Sequence, residues 1–272
     1  MSLRHPGRLG PVTGFDPTDV PRWLLSTIGA LLFLGAWYVA SEFDLLSDFL
    51  LPTPAAVLGE FLRITRVILD NLWVTLLESV VGFVVAVVLA LLLGLFITMN
   101  QRAREALMPL IIGGNSVPRI AVAPLIIFYF GGGAVAKYII AAWIAFFPML
   151  INTVEGLSIE DDDRKQMLDL FDTTVWQEYR FVRIPHALPH IFDGMKLAVA
   201  LAIIGAIVGE FVAANKGLGA LVVWALWNHN IALALAIVLV MGALGVSAII
   251  GLYMLQNRVV FWREATIFGG ER

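Results

Sequence analysis

The sequence predicts an all-α, polytopic membrane protein with about six transmembrane helices. Two observations carry that expectation. Of the 272 residues 60% are hydrophobic and only 14% charged, with a mean hydropathy of +0.87, whereas soluble domains average about 25% charged residues. Apolar runs also recur along the chain at lengths that suit a bilayer, where a span needs about 20 mostly apolar residues. In lipid each crossing must satisfy its backbone hydrogen bonds internally and bury its polar face against its neighbours, so the chain reads as one functional unit.

Residues 1–22 are polar, with Pro6, Pro11, Pro17 and Pro21 and no apolar stretch. They read as a flexible cytoplasmic tail rather than a signal peptide. The six-span domain then covers 23–256, and 257–272 is a C-terminal cytoplasmic tail. The first span is Trp23–Ser41. "LLPTPAAVLGEFLRI" follows; it is too short and charged to cross, and its apolar residues from Ala55 to Ile64 recur at helical spacing. That pattern predicts an interfacial helix. Leu72–Met99 is the second span, and Ala106–Phe130 the third, interrupted by "GGNSVPRIAVAP". Glycines, Pro118 and Pro124 at membrane depth predict an unwound or kinked middle, tolerated only where protein or a water-filled cavity covers the freed backbone. Tyr138–Asn152, Ile191–Ala214 and Ile231–Leu255 complete the set.

Six spans put both termini on one side. With them fall Arg4, Arg8, Arg22, Arg102, Arg104, Arg164, Lys165, Arg180, Arg183, Arg258, Arg263 and Arg272, against Arg63, Arg66, Lys137 and Lys216 in the opposite loops. The positive-inside rule makes the richer side cytoplasmic.

Composition excludes much else. A net charge of −3 gives no reason to expect nucleic acid, and zero cysteines exclude disulfides, thiolate metal sites and a cysteine nucleophile. No G-x-x-x-x-G-K-[ST] phosphate loop occurs, nor G-x-S-x-G or H-E-x-x-H. No catalytic residue is expected, and ATP would have to be bound by another chain.

Residues 158–190 form the one long cytoplasmic loop. "EDDDRKQMLDLF" opens on four acids, Glu160 to Asp163, which suit a helix N-terminus. A break is expected at Asp172 and Thr173, and a second short helix on the capping-box pattern Thr174 to Gln177. Phe171, Val175, Trp176 and Tyr179 near the bend are aromatic and apolar anchors of the kind that dominate interfaces; a solvated loop folded on its own membrane domain is the plain alternative. Pro185 and Pro189 are expected to stop the helix and return the chain to the bilayer. His186 and His190 would suit a metal only on a continuous helix, and Pro189 argues against one, so no metal site is expected.

From Gln166 to Gly219 the chain resembles the signature region of the membrane subunits of bacterial ABC importers, in particular the nitrate, sulfonate (taurine) and bicarbonate type. The residues carrying the likeness are Trp176, Gln177, Ile184, Pro185, Ala187, Leu188, Pro189, Gly194, Gly205, Glu210 and Gly217-Leu218-Gly219. Pro109, Pro118, Ala121, Pro124, Phe130-Gly131, Lys137 and "LLPTPAAVL" resemble the same family upstream. The family's Glu-Ala-Ala triplet stands here as Gln166-Met167-Leu168, and its elbow glycine as Asp172. The resemblance implies a type I ABC importer permease fold in the bacterial inner membrane. It further implies a homodimer, two ATPase subunits holding ATP and Mg, and an extracytoplasmic substrate-binding protein. Residues 166–184 would then be the coupling helices.

Within the spans, "GAIVGEF" places Gly205 and Gly209 at small-xxx-small spacing, with Ala198 and Ala202 on nearly the same face. This suits either a dimer contact or intrachain packing. Ionisable groups at membrane depth usually face a cavity or a partner; here they are Arg119, beside Asn115, with Glu210 and Glu78. Asn115, Arg119 and Glu210 are the candidate pathway residues, and Arg119 suits a small anionic solute. A structural salt bridge from Arg119 to Glu78 or Glu210 is the alternative. "WNHN", Trp227 to Asn230, could meet the binding protein or form an aromatic-belt loop. The rival class is a self-contained transporter or channel driven by an ion gradient, which would need inverted repeats and ion-coordinating carboxylates.

Overall fold

The computed structural model describes residues 22–43, 51–158, 173–213 and 215–262. The elements, in order, are α1 (Arg22–Glu42), α2 (Pro54–Arg63), α3 (Thr65–Met99), α4 (Gln101–Ser116), a 3₁₀ turn (Arg119–Val122), α5 (Ala123–Phe130) and α6 (Ala134–Leu157). Then come α7 (Val175–Ala213), α8 (Leu218–Trp227) and α9 (Ile231–Val259). The described residues contain no strand. Four helices, α3, α6, α7 and α9, are each long and apolar enough to cross a membrane, and α4 and α5, bent by 88° at their break, make a fifth when the pair is counted as one span. The sixth expected span, α1, carries a shorter apolar run, Thr27–Glu42.

The chain divides into two compact units, 1–55 and 56–272. In the first, Trp37 Nε1 donates to the Pro52 carbonyl at 3.1 Å, fastening the end of α1 to the segment before α2. The second is organised around α6, which is flanked by α3 and α7. Along α3 the residues Glu78, Gly82, Ala86, Ala90 and Gly94 are buried, and their four-residue spacing puts them on one ridge. Gly82 meets Ala141, and a Cβ on Gly94 would lie 2.6 Å from Thr153 Cγ2. Both partner numbers rise together, so α3 and α6 run in the same direction. On α7 the order reverses: Gly205 lies on Ala141, Gly194 on Asn152, and Gly156 of α6 on Ala187 and His190. Two parallel spans must be separated by a returning one, and the bent α4–α5 pair supplies it.

Lipid offers helices no hydrophobic drive to associate, so packing depends on backbones approaching closely. A Cβ on Gly205 would sit 2.6 Å from the Ala141 Cα, and Ala198, Ala202 and Gly209 are buried on the same face. The "GAIVGEF" face is therefore an intrachain contact with α6.

Two expectations need correction. Pro185 and Pro189 do not end the helix: α7 is continuous for 39 residues, from Val175 into the span. A five-residue π turn, Tyr179–Arg183, precedes Pro185, with the Ile184 N–H bonded to the Tyr179 carbonyl. Pro185 lacks an N–H and its ring crowds the carbonyl four residues earlier; the wider turn absorbs that conflict. Lys137 is not in a loop. It lies in the first turn of α6, buried, with its Nζ paired to the Glu78 carboxylate, since a desolvated ammonium needs a counter-charge.

Candidate functional site

Polar side chains collect at three levels along α6. At its N-terminal end, Lys137 and Glu78 join α6 to α3. Beside them lies the start of α8, which the sequence reading missed. The first backbone N–H groups of a helix lack intrahelical acceptors, and Gly217 has no side chain to cap α8. Three side chains from other helices do so instead. Asn71 Oδ1 accepts from Gly217 N at 2.7 Å, Thr75 Oγ1 from Leu218 N at 2.8 Å, and Glu210 Oε2 from Gly219 N at 2.6 Å. Thr75 Oγ1 also donates to Glu210 Oε1 at 2.7 Å. The carboxylate at a helix N-terminus gains from the macrodipole as well.

The glycines are part of this cap. Gly217 has φ 114°, and a Cβ there would fall on the Glu210 carboxylate; one on Gly219 would lie 2.9 Å from Glu210 Cβ. Glu210 and Gly217-Leu218-Gly219 thus form one device that seats α8. Its other end is closed by "WNHN": Asn230 N–H bonds the Ala225 carbonyl, and the Asn230 side chain caps α9 by accepting from Leu233 N at 2.9 Å. His229 takes φ 54° in this turn.

At mid-length of α6 sits the break between α4 and α5. Val117, ahead of Pro118, is extended (ψ 135°), as a residue before proline prefers. Gly114 admits the Phe147 ring, which a Cβ would approach to 2.6 Å. Phe147 stacks edge-on with Trp143 and Phe146. Arg119 Nη1 donates to the Ile144 carbonyl at 3.1 Å. That carbonyl is free because Pro148, inside α6, has no N–H to return to it. Arg119 therefore caps a proline-freed carbonyl, while Glu78 and Glu210, the salt-bridge partners considered for it, are engaged elsewhere. A guanidinium has five donors, so this bond uses only one of them. Asn115 Oδ1, in the last turn of α4, is buried with no hydrogen-bond partner among the described residues. Asn115 and Arg119 share this break; Glu210 belongs to the α8 cap.

At the C-terminal end of α6, the residues proposed for coupling open α7. Thr174 caps it with a full capping box to Gln177, as the sequence indicated. Val175 and Trp176 are exposed, Trp176 at 69%. Phe181, not singled out from the sequence, is exposed too, whereas Tyr179 is buried under the Arg183 guanidinium, 4.8 Å from its ring. Arg183 also binds Glu178 and the Leu157 carbonyl, tying this end of α7 to α6. Phe171 and Asp172 lie outside the described residues, as does the whole of the helix expected over Glu160 to Phe171. Thr173, Pro185 and Pro189 are described, the prolines within α7.

Apolar helices joined by small-residue contacts, with a bent pair that holds Arg119, define a polytopic helical membrane protein. The model of the family "Binding-protein-dependent transport system inner membrane component" matches residues 86–261. The chain belongs to that family and is the permease subunit of an ABC importer, an inner-membrane component; membership implies ATPase and binding-protein partners. It is 34% identical over 194 residues to the riboflavin transport system permease protein RibX of Chloroflexus aurantiacus, covering 71% of this chain and 72% of that one. Over 239 residues it is 27% identical to the formylaminopyrimidine transport permease protein ThiX of Halalkalibacterium halodurans, with 88% and 95% covered. The taurine transport system permease protein TauC of Escherichia coli is 28% identical, with 89% and 92% covered. Among solved structures, the inward-facing MetNI methionine ABC transporter matches with a TM-score of 0.61 at 16% identity, over 74% of this chain and 97% of that one. That likeness shows the fold.

Proposed function

We propose that two copies of this chain form the importer's membrane pathway, each docked through the Thr173–Pro189 region on an ATPase subunit that holds ATP and Mg. Both termini face the cytoplasm. A small anionic solute, released by an extracytoplasmic binding protein, passes the break between α4 and α5, where the spare donors of Arg119 and the side chain of Asn115 meet it. Glu210 acts on the pathway only through the position of α8.

One observation carries the coupling reading: α7 is continuous from the exposed Val175–Trp176 surface to the glycines packed on α6. A displacement at the docking end reaches the span along one unbroken helix. Alternation needs contacts that differ between two states, and Trp176, with Phe171 from the adjoining segment, would supply them at the motor.

The test is co-purification of the detergent-solubilised chain with its ATPase, comparing wild type with Trp176→Ala and Phe171→Ala/Trp176→Ala. Hot-spot aromatics are worth at least about 2 kcal/mol, so each loss should weaken the complex roughly 30-fold. A complex of unchanged affinity in a folded double variant would place docking elsewhere. For the solute, taurine or bicarbonate uptake should fall in Arg119→Met while the ATPase complex persists; unimpaired uptake would refute the anion pathway.

A further inference from the structure

We propose that His186 and His190 form a two-imidazole site for a divalent ion of the Cu²⁺, Ni²⁺ or Zn²⁺ class, and that the bound ion staples the one turn of α7 that Pro189 leaves without a hydrogen bond. Helix α7 runs unbroken through Pro189, so the break that would separate the two histidines is absent. The two histidines stand four apart on unbroken helix, the spacing by which H-E-x-x-H motifs present two imidazoles to one ion. Their ring centres are 5.9 Å apart with a 37° tilt. An ion bonded to a ring nitrogen at about 2.0–2.1 Å lies about 3.2 Å from that ring's centre, so it bridges two rings whose centres are within roughly 6.4 Å.

The ring of His186 is already set for this role. Its Nδ1 lies 3.4 Å from the Gly156 carbonyl; a carbonyl only accepts, so Nδ1–H donates and Nε2 keeps the lone pair a metal needs. Metal-binding histidines commonly fix their tautomer through such a bond. His190 packs its Cβ against the same glycine, where a methyl group would lie at 2.8 Å, so both ligands are steadied by the end of α6. Both side chains are exposed. Among the described residues no third His, Cys, Asp or Glu completes a cluster, so the described residues offer two nitrogens. A two-nitrogen site suits tetragonal Cu²⁺ or Ni²⁺ better than a closed structural zinc site.

The mechanical consequence comes from Pro189, which has no N–H to bond the Pro185 carbonyl. The pair 186/190 spans the same turn, displaced by one residue, and an ion across it replaces the missing restraint. The turn lies between the exposed start of α7 and its span, so the ion would stiffen α7 where it is weakest. Binding and stapling are properties of this chain and do not depend on its ATPase.

The test uses the full-length chain in detergent, stripped with chelator, in a His5→Ala/His229→Ala background that leaves the pair as its only histidines. Cu²⁺ is followed by electron paramagnetic resonance, Ni²⁺ by calorimetry, and the turn by amide hydrogen exchange over 184–193. The expected result is one ion per chain, nitrogen superhyperfine structure from two imidazoles, and at least tenfold weaker binding in His186→Ala and in the milder His190→Gln. Exchange over 187–193 should slow with the ion, and less so in Pro189→Ala, which regains its own hydrogen bond. No binding, or undiminished binding in folded His190→Gln, would overturn the site. Binding with unchanged exchange would overturn the staple.

Discussion

Lys137→Met should be among the most damaging single changes in the membrane core. The residue is 7% exposed and its partner Glu78 2%; Lys137 pairs with Glu78 Oε1, and Oε2 has no hydrogen-bond partner among the described residues. Methionine follows the lysine stem past Gly209, where a Cβ would stand 3.0 Å from Lys137 Cγ, so packing survives and the counter-charge alone is lost. Removing one member of a buried pair costs about 3–5 kcal/mol, a roughly 10²- to 10⁴-fold fall in the folding equilibrium constant. Replacing both members with apolar groups is often neutral or stabilising, so Glu78→Met/Lys137→Met should recover most of the loss. The assay is reversible unfolding in mixed micelles with sodium dodecyl sulfate, read by tryptophan fluorescence, for both single variants and the double. A Lys137→Met variant within about 1 kcal/mol of wild type, or a double as damaged as the single, would refute the assignment of these residues as a mutually dependent pair.

Gly217→Ala combines a left-handed backbone, costing about 1–2 kcal/mol, with displacement of the Glu210 carboxylate from Gly219 N, about 1–3 kcal/mol; the same unfolding assay should register both. Glu210→Gln keeps an acceptor oxygen and should lose less. Gly205→Ala, aimed at the Ala141 backbone, should cost about 1–3 kcal/mol by overpacking, whereas Gly242→Ala, with nothing within 4 Å of the new methyl, should gain up to about 1 kcal/mol in helix propensity. Arg119→Met strands the Ile144 carbonyl and should destabilise by about 1–3 kcal/mol, and Pro148→Ala should rescue stability by restoring an N–H to that carbonyl. Rescued stability without rescued uptake in Arg119→Met/Pro148→Ala would separate the arginine's structural role from its transport role.

The long apolar helices, the short helix α2 and the break in the third apolar segment could be read from the sequence because each is a local pattern. Glycine and proline punctuate "GGNSVPRIAVAP", and Ala55 to Ile64 follow one helical period. Helix α8 was missed because Leu218–Trp227 has only 10 residues, too few for a span, between a turn and a loop-like "WNHN". Its signal was the unbroken apolar run itself, bounded by Gly217 and Asn228. The Lys137–Glu78 pair joins positions 59 residues apart, and no local rule connects them; an ionisable residue inside each of two apolar runs was the available sign. The continuity of α7 through Pro185 and Pro189 was misjudged because proline rules describe an ideal α-helix. A π turn changes the register that those rules assume.

The prolines and glycines of this chain work in opposite ways on the same helix, α6. Glycines of α3 and α7 let neighbouring backbones close on it from two sides, at Ala141, and make those contacts too tight to slide. Pro148, by contrast, frees a carbonyl that a side chain from the broken span must satisfy. The tight contacts give the permease a fixed spine, and the freed carbonyl gives that spine a polar attachment for a segment with little regular structure of its own. Arg119 uses one of its five donors on that carbonyl, so its attachment does not exhaust its hydrogen bonding. On the proposed function, movement is most economically placed at the α4–α5 break, where the helical hydrogen bonding is already interrupted, rather than along the glycine seams.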